Sequence, residues 1–158
     1  MRMPLLTALA CATSAVALAA PPRTLEVTSP AFQPNAGIPS VYTCDGARKS
    51  PPLAWSAVPP EARSIAILVD DPDAPRGVYT HWIVTDLDPI LTTLPANQPG
   101  YSAPCPPGGT HHYRFHVFAL DTKLGHVGTR DELLKAIEGH VLAEGELVGT
   151  YARTSPSR

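Results

Sequence analysis

Apolar residues along the chain fall into three runs of strand length. Ser64-Ile65-Ala66-Ile67-Leu68-Val69-Asp70 is apolar almost without interruption, the mark of a central strand covered on both faces. Tyr79 to Thr85 forms a second run, with His81 on the face of Ile83. His112 to Leu120 forms a third, and it alternates strictly. Tyr113, Phe115, Val117 and Ala119 share one face, and His112, Arg114 and His116 the other. Across 28–62, short apolar pieces (Ile38, Val41-Tyr42, Leu53-Ala54-Trp55) lie among Pro, Ser and Gly, which predicts short strands between turns. The period changes to a helical one near the C-terminus. There Thr129 and Glu132 form a capping box ahead of the stripe Leu133, Leu134 and Ile137. Gly139 and Gly145 are expected to break or end helical pieces before Leu147-Val148 and Tyr151. The pattern predicts a mainly β protein with one or two short helices near its C-terminus.

Composition narrows this picture. A chain of 158 residues argues for one domain, and no internal repeat or long linker divides it. With 44% hydrophobic residues it can build a core, and a formal net charge of −2 gives no basic excess to attract nucleic acid. Nineteen prolines disfavour long helices, so bundles and coiled coils drop out.

The first residues read as an export signal. Met1-Arg2-Met3 is positively charged, Pro4 to Ala20 carries no charge, and Ala17-Leu18-Ala19 has the small-x-small form of a cleavage site. The apolar run is interrupted by Thr13-Ser14 and ends at Pro21-Pro22, too short for a membrane anchor. A lipoprotein reading through Cys11 is weakened by Ala8, where a large aliphatic is wanted. The expectation is a cleaved signal peptide over 1–19, a single domain over 20–158, and a periplasmic or secreted protein with no membrane span. Cys44 and Cys105 then remain as an even pair in an oxidising compartment. A disulfide is the default for such a pair, with two buried free thiols as the alternative. Zinc fits less well, since neither belongs to a CxxC pair.

Candidate chemistry gathers at strand ends. Asp71 continues the face of Ile65, Ile67 and Val69, inside the stretch Asp70-Asp71-Pro72-Asp73-Ala74-Pro75. His111 and Tyr113, two apart, point to one side after the loop Pro104-Cys105-Pro106-Pro107-Gly108-Gly109. His112 and His116 lie on the face opposite His111, so no inward metal site forms from them. No P-loop, dinucleotide fingerprint or Gly-x-Ser-x-Gly elbow occurs, and no cofactor is called for.

Several segments in order resemble the phosphatidylethanolamine-binding protein family, and within it the bacterial Raf-kinase-inhibitor-like branch. They are Tyr42 to Gly46, Ser50 to Trp55, Asp70 to Pro75, His81-Trp82, Gly100 to Tyr113, and Gly139 to Ala143. The resemblance spans roughly 27–153 and implies a β-sandwich of two sheets with a small anion pocket. By that resemblance the pocket is lined by Asp71, His81, Cys105, Pro106, Pro107, His111 and Tyr113, with Asp73 bracing its loop. Imidazoles, a phenol and loop amides can donate to phosphate oxygens. Asp71, which would repel an anion, is expected to hold a histidine or to take a proton from the ligand. His81 and His111 are read as donors whose charge is set near neutral pH. Three departures bear on the rim: the segment Thr92 to Gly100 is short, Ala103 replaces a usual glycine, and Tyr79-Thr80 replaces a usual Trp-x pair.

The sequence therefore points to an exported, non-enzymatic protein that binds a small anionic or phosphorylated ligand or a phospholipid head group. The alternative is a protease- or kinase-inhibitor-like protein that meets a protein partner at the pocket edge. A weak hydrolase using Asp71 and the histidines stands third.

Overall fold

The structure, a computed structural model, describes residues 21–153. Eight strands and one α-helix follow one another: β1 (Arg23–Thr24), β2 (Glu26–Thr28), β3 (Leu53–Ser56), β4 (Ser64–Asp71), β5 (Tyr79–Leu87), β6 (Thr93–Leu94), β7 (Thr110–Leu120), α1 (Arg130–Ile137) and β8 (Val141–Ala152). They form a five-stranded sheet in the order β1-β8-β7-β4-β5 and a three-stranded sheet in the order β2-β3-β6. The β5, β4, β7 and β8 pairings are antiparallel, and β1 joins β8 in parallel.

The alternation in the sequence sets the layers. Ile65, Ile67 and Val69 of β4 and Tyr113, Phe115 and Val117 of β7 face the small sheet, where they pack with Leu53, Trp55 and Leu94. The intervening Ala66 and Leu68 face the other way and pack with Phe118, Leu120, Leu133 and Ile137 under α1. Every residue of β4 is buried, as its uninterrupted apolar run requires. Helix α1 starts where the capping box places it. Thr129 Oγ1 accepts from the Glu132 amide, and the Glu132 carboxylate accepts from the Thr129 amide.

Some local expectations give way. Gly145 ends no helix; it lies inside β8, where the Leu25 carbonyl passes so close that a Cβ would overlap it. Val41-Tyr42 belongs to a 3-10 turn over Ser40–Tyr42, and Ile38 lies in an irregular segment outside the strands. Pro39, between the two apolar pieces, accounts for the loss of strand there, since it offers no ladder donor. The residues read as a signal peptide lie outside the described residues. Among the described residues no helix is long and apolar enough to cross a membrane.

Candidate functional site

One end of the sandwich holds a cavity of about 260 Å³, at the C-terminal end of β4 and the starts of β5 and β7. Period two carries the inner face of β4 on to Asp71, which is 4% exposed. Its Oδ2 accepts from His111 Nδ1 at 2.6 Å, and its Oδ1 accepts from the Asp73 amide at 2.8 Å. Because a carboxylate only accepts, the hydrogen in the first contact sits on Nδ1. His111 therefore turns Nε2 away from Asp71, and Nε2 carries a hydrogen only when the ring is cationic. Asp73 takes the brace position expected of it. Its Oδ2 accepts from the His112 amide and from His112 Nδ1 at 2.8 and 2.7 Å, pinning the Pro72–Pro75 loop to β7. Those bonds from His112 hold the Asp73 carboxyl below the usual carboxylate range.

His81 reaches the site by a route the alternation does not predict. Val69 pairs with Trp82 and Asp70 with Thr80, so β5 advances two residues while β4 advances one. His81 is the extra residue of a bulge. Its ring lies on the inner side against Tyr113 and Tyr79, with centroids 5.1 and 4.7 Å away. Ile83 packs instead toward α1. The expected shared face of His81 and Ile83 is thus corrected, and the bulge is the reason. His81 Nδ1 donates to the Ser102 carbonyl at 2.6 Å, and the Ser102 amide donates back to the His81 carbonyl at 2.8 Å. Burial lowers the pKa of this imidazole, against the opposing pull of the Ser102 carbonyl and Asp71. Burial thus favours the neutral ring at His81, where the sequence suggests a donor whose charge is set near neutral pH.

The third wall is the 102–109 loop. Cys44 and Cys105 are joined by a disulfide, and the Cys44 amide donates to the Pro104 carbonyl at 2.9 Å. Cys105, Pro106 and Pro107 line the cavity, and Gly109 takes the positive φ of 73° that lets the chain enter β7. Tyr113 closes the floor at 0% exposure. Its hydroxyl is the one fully buried side-chain polar atom among the described residues that has no hydrogen-bond partner. Burial, followed by Asp71 and Asp73, pushes its pKa well above the usual phenol range, so it stays a donor.

All seven lining residues expected from the sequence meet at this cavity. Ala74, Pro75, Tyr79, Ser102 and Ala103 also line it. Of these, Tyr79 and Ala103 carried a sequence signal, as rim positions where the chain departs from the family pattern, and Tyr79 stands opposite Asp71 in the ladder. The short 92–100 segment contributes β6 and then runs past Ser50 and Trp82, whose Nε1 donates to the Pro99 carbonyl at 3.0 Å. Among the described residues no group of three or more His, Cys, Asp and Glu side chains is placed to hold a metal ion.

The same order of segments is met elsewhere. A family model described as phosphatidylethanolamine-binding protein matches residues 28–152. The chain belongs to the phosphatidylethanolamine-binding protein family. It is 44% identical over 144 residues to a UPF0098 protein of Methanothermobacter thermautotrophicus, covering 78% of this chain and 95% of that one. A UPF0098 protein of Chlamydia trachomatis is 39% identical over 149 residues, covering 82% and 99%. Among solved structures, a phosphatidylethanolamine-binding protein homologue from Chlamydia trachomatis superposes with a TM-score of 0.79 at 38% identity, covering 83% of this chain and 99% of that one. YbcL of E. coli, described as a member of the mammalian family, gives 0.75 at 26%, covering 82% and 99%. The two-sheet architecture is therefore the family's own.

Proposed function

We propose that this phosphatidylethanolamine-binding protein family member is an exported, non-enzymatic binding protein whose pocket takes a small phosphate-bearing ligand or head group. The observation that carries the reading is the unpartnered Tyr113 hydroxyl beside the His111–Asp71 pair. A buried donor without an acceptor costs about 1–3 kcal/mol. The hydroxyl has no accessible surface in the free protein, and a small shift of the ring that admits a ligand oxygen to it removes that cost. A cationic His111 keeps Nδ1 on Asp71 and turns Nε2–H toward the ligand, giving a charge-assisted hydrogen bond. Asp71 then offsets the histidine charge and fixes the ring, which answers why a carboxylate stands beside an anion site.

Binding without turnover is favoured because the nucleophile candidates are unsupported. Cys105 is held in the disulfide, and the Ser102 hydroxyl lies 3.5 Å from Tyr79 Oη with no histidine bonded to it. Export is supported by the charge pattern of residues 1–19 and by the disulfide, which persists in oxidising compartments. A second reading, contact with a protein partner at the pocket edge, is favoured by Val78 and Tyr79. These are 44% and 51% exposed beside the cavity mouth.

Calorimetric titration with inorganic phosphate and phosphoethanolamine at pH 6 tests the first reading. His111→Ala should weaken binding roughly ten- to a hundredfold. His126→Ala, at an exposed turn, should leave it unchanged. Silent titrations of the wild type, or equal losses in the two variants, overturn it.

A further inference from the structure

The proposed pocket offers donors on one side and an acceptor on the other. Tyr113 Oη is a donor without a partner, and His111 Nε2 donates when its ring is cationic. His81 is different. Its Nδ1 faces a carbonyl oxygen, which can only accept, so Nδ1 holds the hydrogen of the neutral ring and Nε2 holds a lone pair. The reciprocal amide bond from Ser102 to the His81 carbonyl fixes the ring to the loop. His81 lines the cavity, and among the described residues its Nε2 has no partner and is not one of the fully buried polar atoms, so it opens into the cavity. Asp71, His111, Tyr79 and Tyr113 are the other titratable groups around it.

We infer that the pocket selects bound oxyacids that keep a hydroxyl, phosphate monoesters over phosphate diesters, and that His81 Nε2 is the group that reads that hydroxyl. The inference rests on the phosphate reading above and adds the ligand class. A monoester monoanion presents P–OH to His81 Nε2 and anionic oxygens to Tyr113 and His111. A diester has the same charge but no hydroxyl. It sets a lone pair, or an ester carbon, against the lone pair of Nε2 and leaves that nitrogen desolvated. Burial disfavours the charged ring and so raises the cost of supplying the missing proton from His81. The ligand is therefore a phosphorylated small molecule or a free head group, and an intact diacyl phospholipid, a diester, is the poorer fit.

The experiment compares three probes at pH 6, where a monoester is about half monoanion. Methyl phosphate has the hydroxyl. Dimethyl phosphate lacks it, and dimethylphosphinate lacks it while being no larger than methyl phosphate. Titration should give binding of methyl phosphate, with both other anions weaker by about tenfold or more. In His81→Gln, whose side-chain amide can donate, the difference between the probes should collapse. Equal binding of methyl phosphate and dimethylphosphinate overturns the selection. So does rejection of dimethyl phosphate alone, because that is exclusion by size. A preference that survives in His81→Gln removes His81 from the role. Binding of none of the three, with silent inorganic phosphate, overturns the phosphate reading itself.

Discussion

Asp70 and Asp71 are consecutive on β4, and their carboxylates serve opposite faces of the same sheet. Asp71 holds His111 in the pocket at 2.6 Å. Asp70, with no exposed surface, accepts from Arg114 Nε and Nη2 at 2.8 and 3.0 Å and from Arg130 Nε at 3.1 Å. His116 Nε2 lies 3.5 Å from the same carboxylate. One strand end thus ties the pocket to β7 on one side and the first residue of α1 to the sheet on the other.

Asp70 is expected to be a stability residue. Burial alone would raise its pKa, but the bonds from His116, Arg114 and Arg130 outweigh burial and hold the carboxyl well below its ordinary 3.8. A carboxyl with a depressed folded pKa stabilises above the unfolded value and loses that contribution as pH falls through the folded one. Stability should therefore decline from about pH 4 downward. Asp70→Asn should flatten that decline and cost about 3 kcal/mol in urea unfolding at pH 7, the lower end for a broken buried pair. The lower end applies because Arg114 and Arg130 side chains are each 30% exposed and can rehydrate. A loss under 0.5 kcal/mol would place Asp70 among ordinary surface charges.

His81 should appear by nitrogen NMR as the neutral ring with its hydrogen on Nδ1 at pH 7, because that nitrogen faces the Ser102 carbonyl. Its folded pKa is lowered by burial from 6.5. The unfolded chain then takes up this proton first, so the His81 contribution to stability falls as pH drops below about 6.5 and is constant above it. An Nε2–H tautomer, or titration above 6.5, would contradict the bond pattern and the sign together.

How far these relationships can be read from sequence depends on whether a local rule was left intact. Strict alternation in β7 placed His111 and Tyr113 on one side and His112, Arg114 and His116 on the other, and no bulge interrupts that stretch of the ladder. The same rule failed for His81, because one extra residue between Thr80 and Trp82 moves it across the sheet. Gly145 was misread for a related reason. Its missing side chain answers to the Leu25 carbonyl, a contact 120 positions away along the chain that no local pattern announces. The Arg114–Asp70–Arg130 cluster was equally hidden, since it joins β7, β4 and α1.

The disulfide joins residues 61 positions apart. In the chain-entropy account a loop of that length adds about 4 kcal/mol by restricting the unfolded chain. Replacing both cysteines, Cys44→Ser with Cys105→Ser, should lower stability by up to that amount and loosen the wall formed by Pro106 and Pro107. Alkylation of the unreduced protein should modify neither cysteine, as read by mass spectrometry. Two alkylated residues would reopen the possibility of a free thiol beside the histidines.

Tyr113→Phe separates the cost of the site from its use. In the free protein the hydroxyl is buried without a partner, so removing it takes away a desolvated polar group and leaves the ring packing beside Phe115 and His81. Stability should stay level or rise by about 1 kcal/mol. Phosphate affinity should move the opposite way, falling about tenfold, because the ligand loses the donor at the cavity floor. Thermal unfolding and calorimetric titration of the same preparation measure both quantities. Opposite signs are the signature of a group kept for a ligand rather than for the fold. A variant that loses stability and affinity together would mean the hydroxyl already serves the folded chain, and the floor of the pocket would need a different donor.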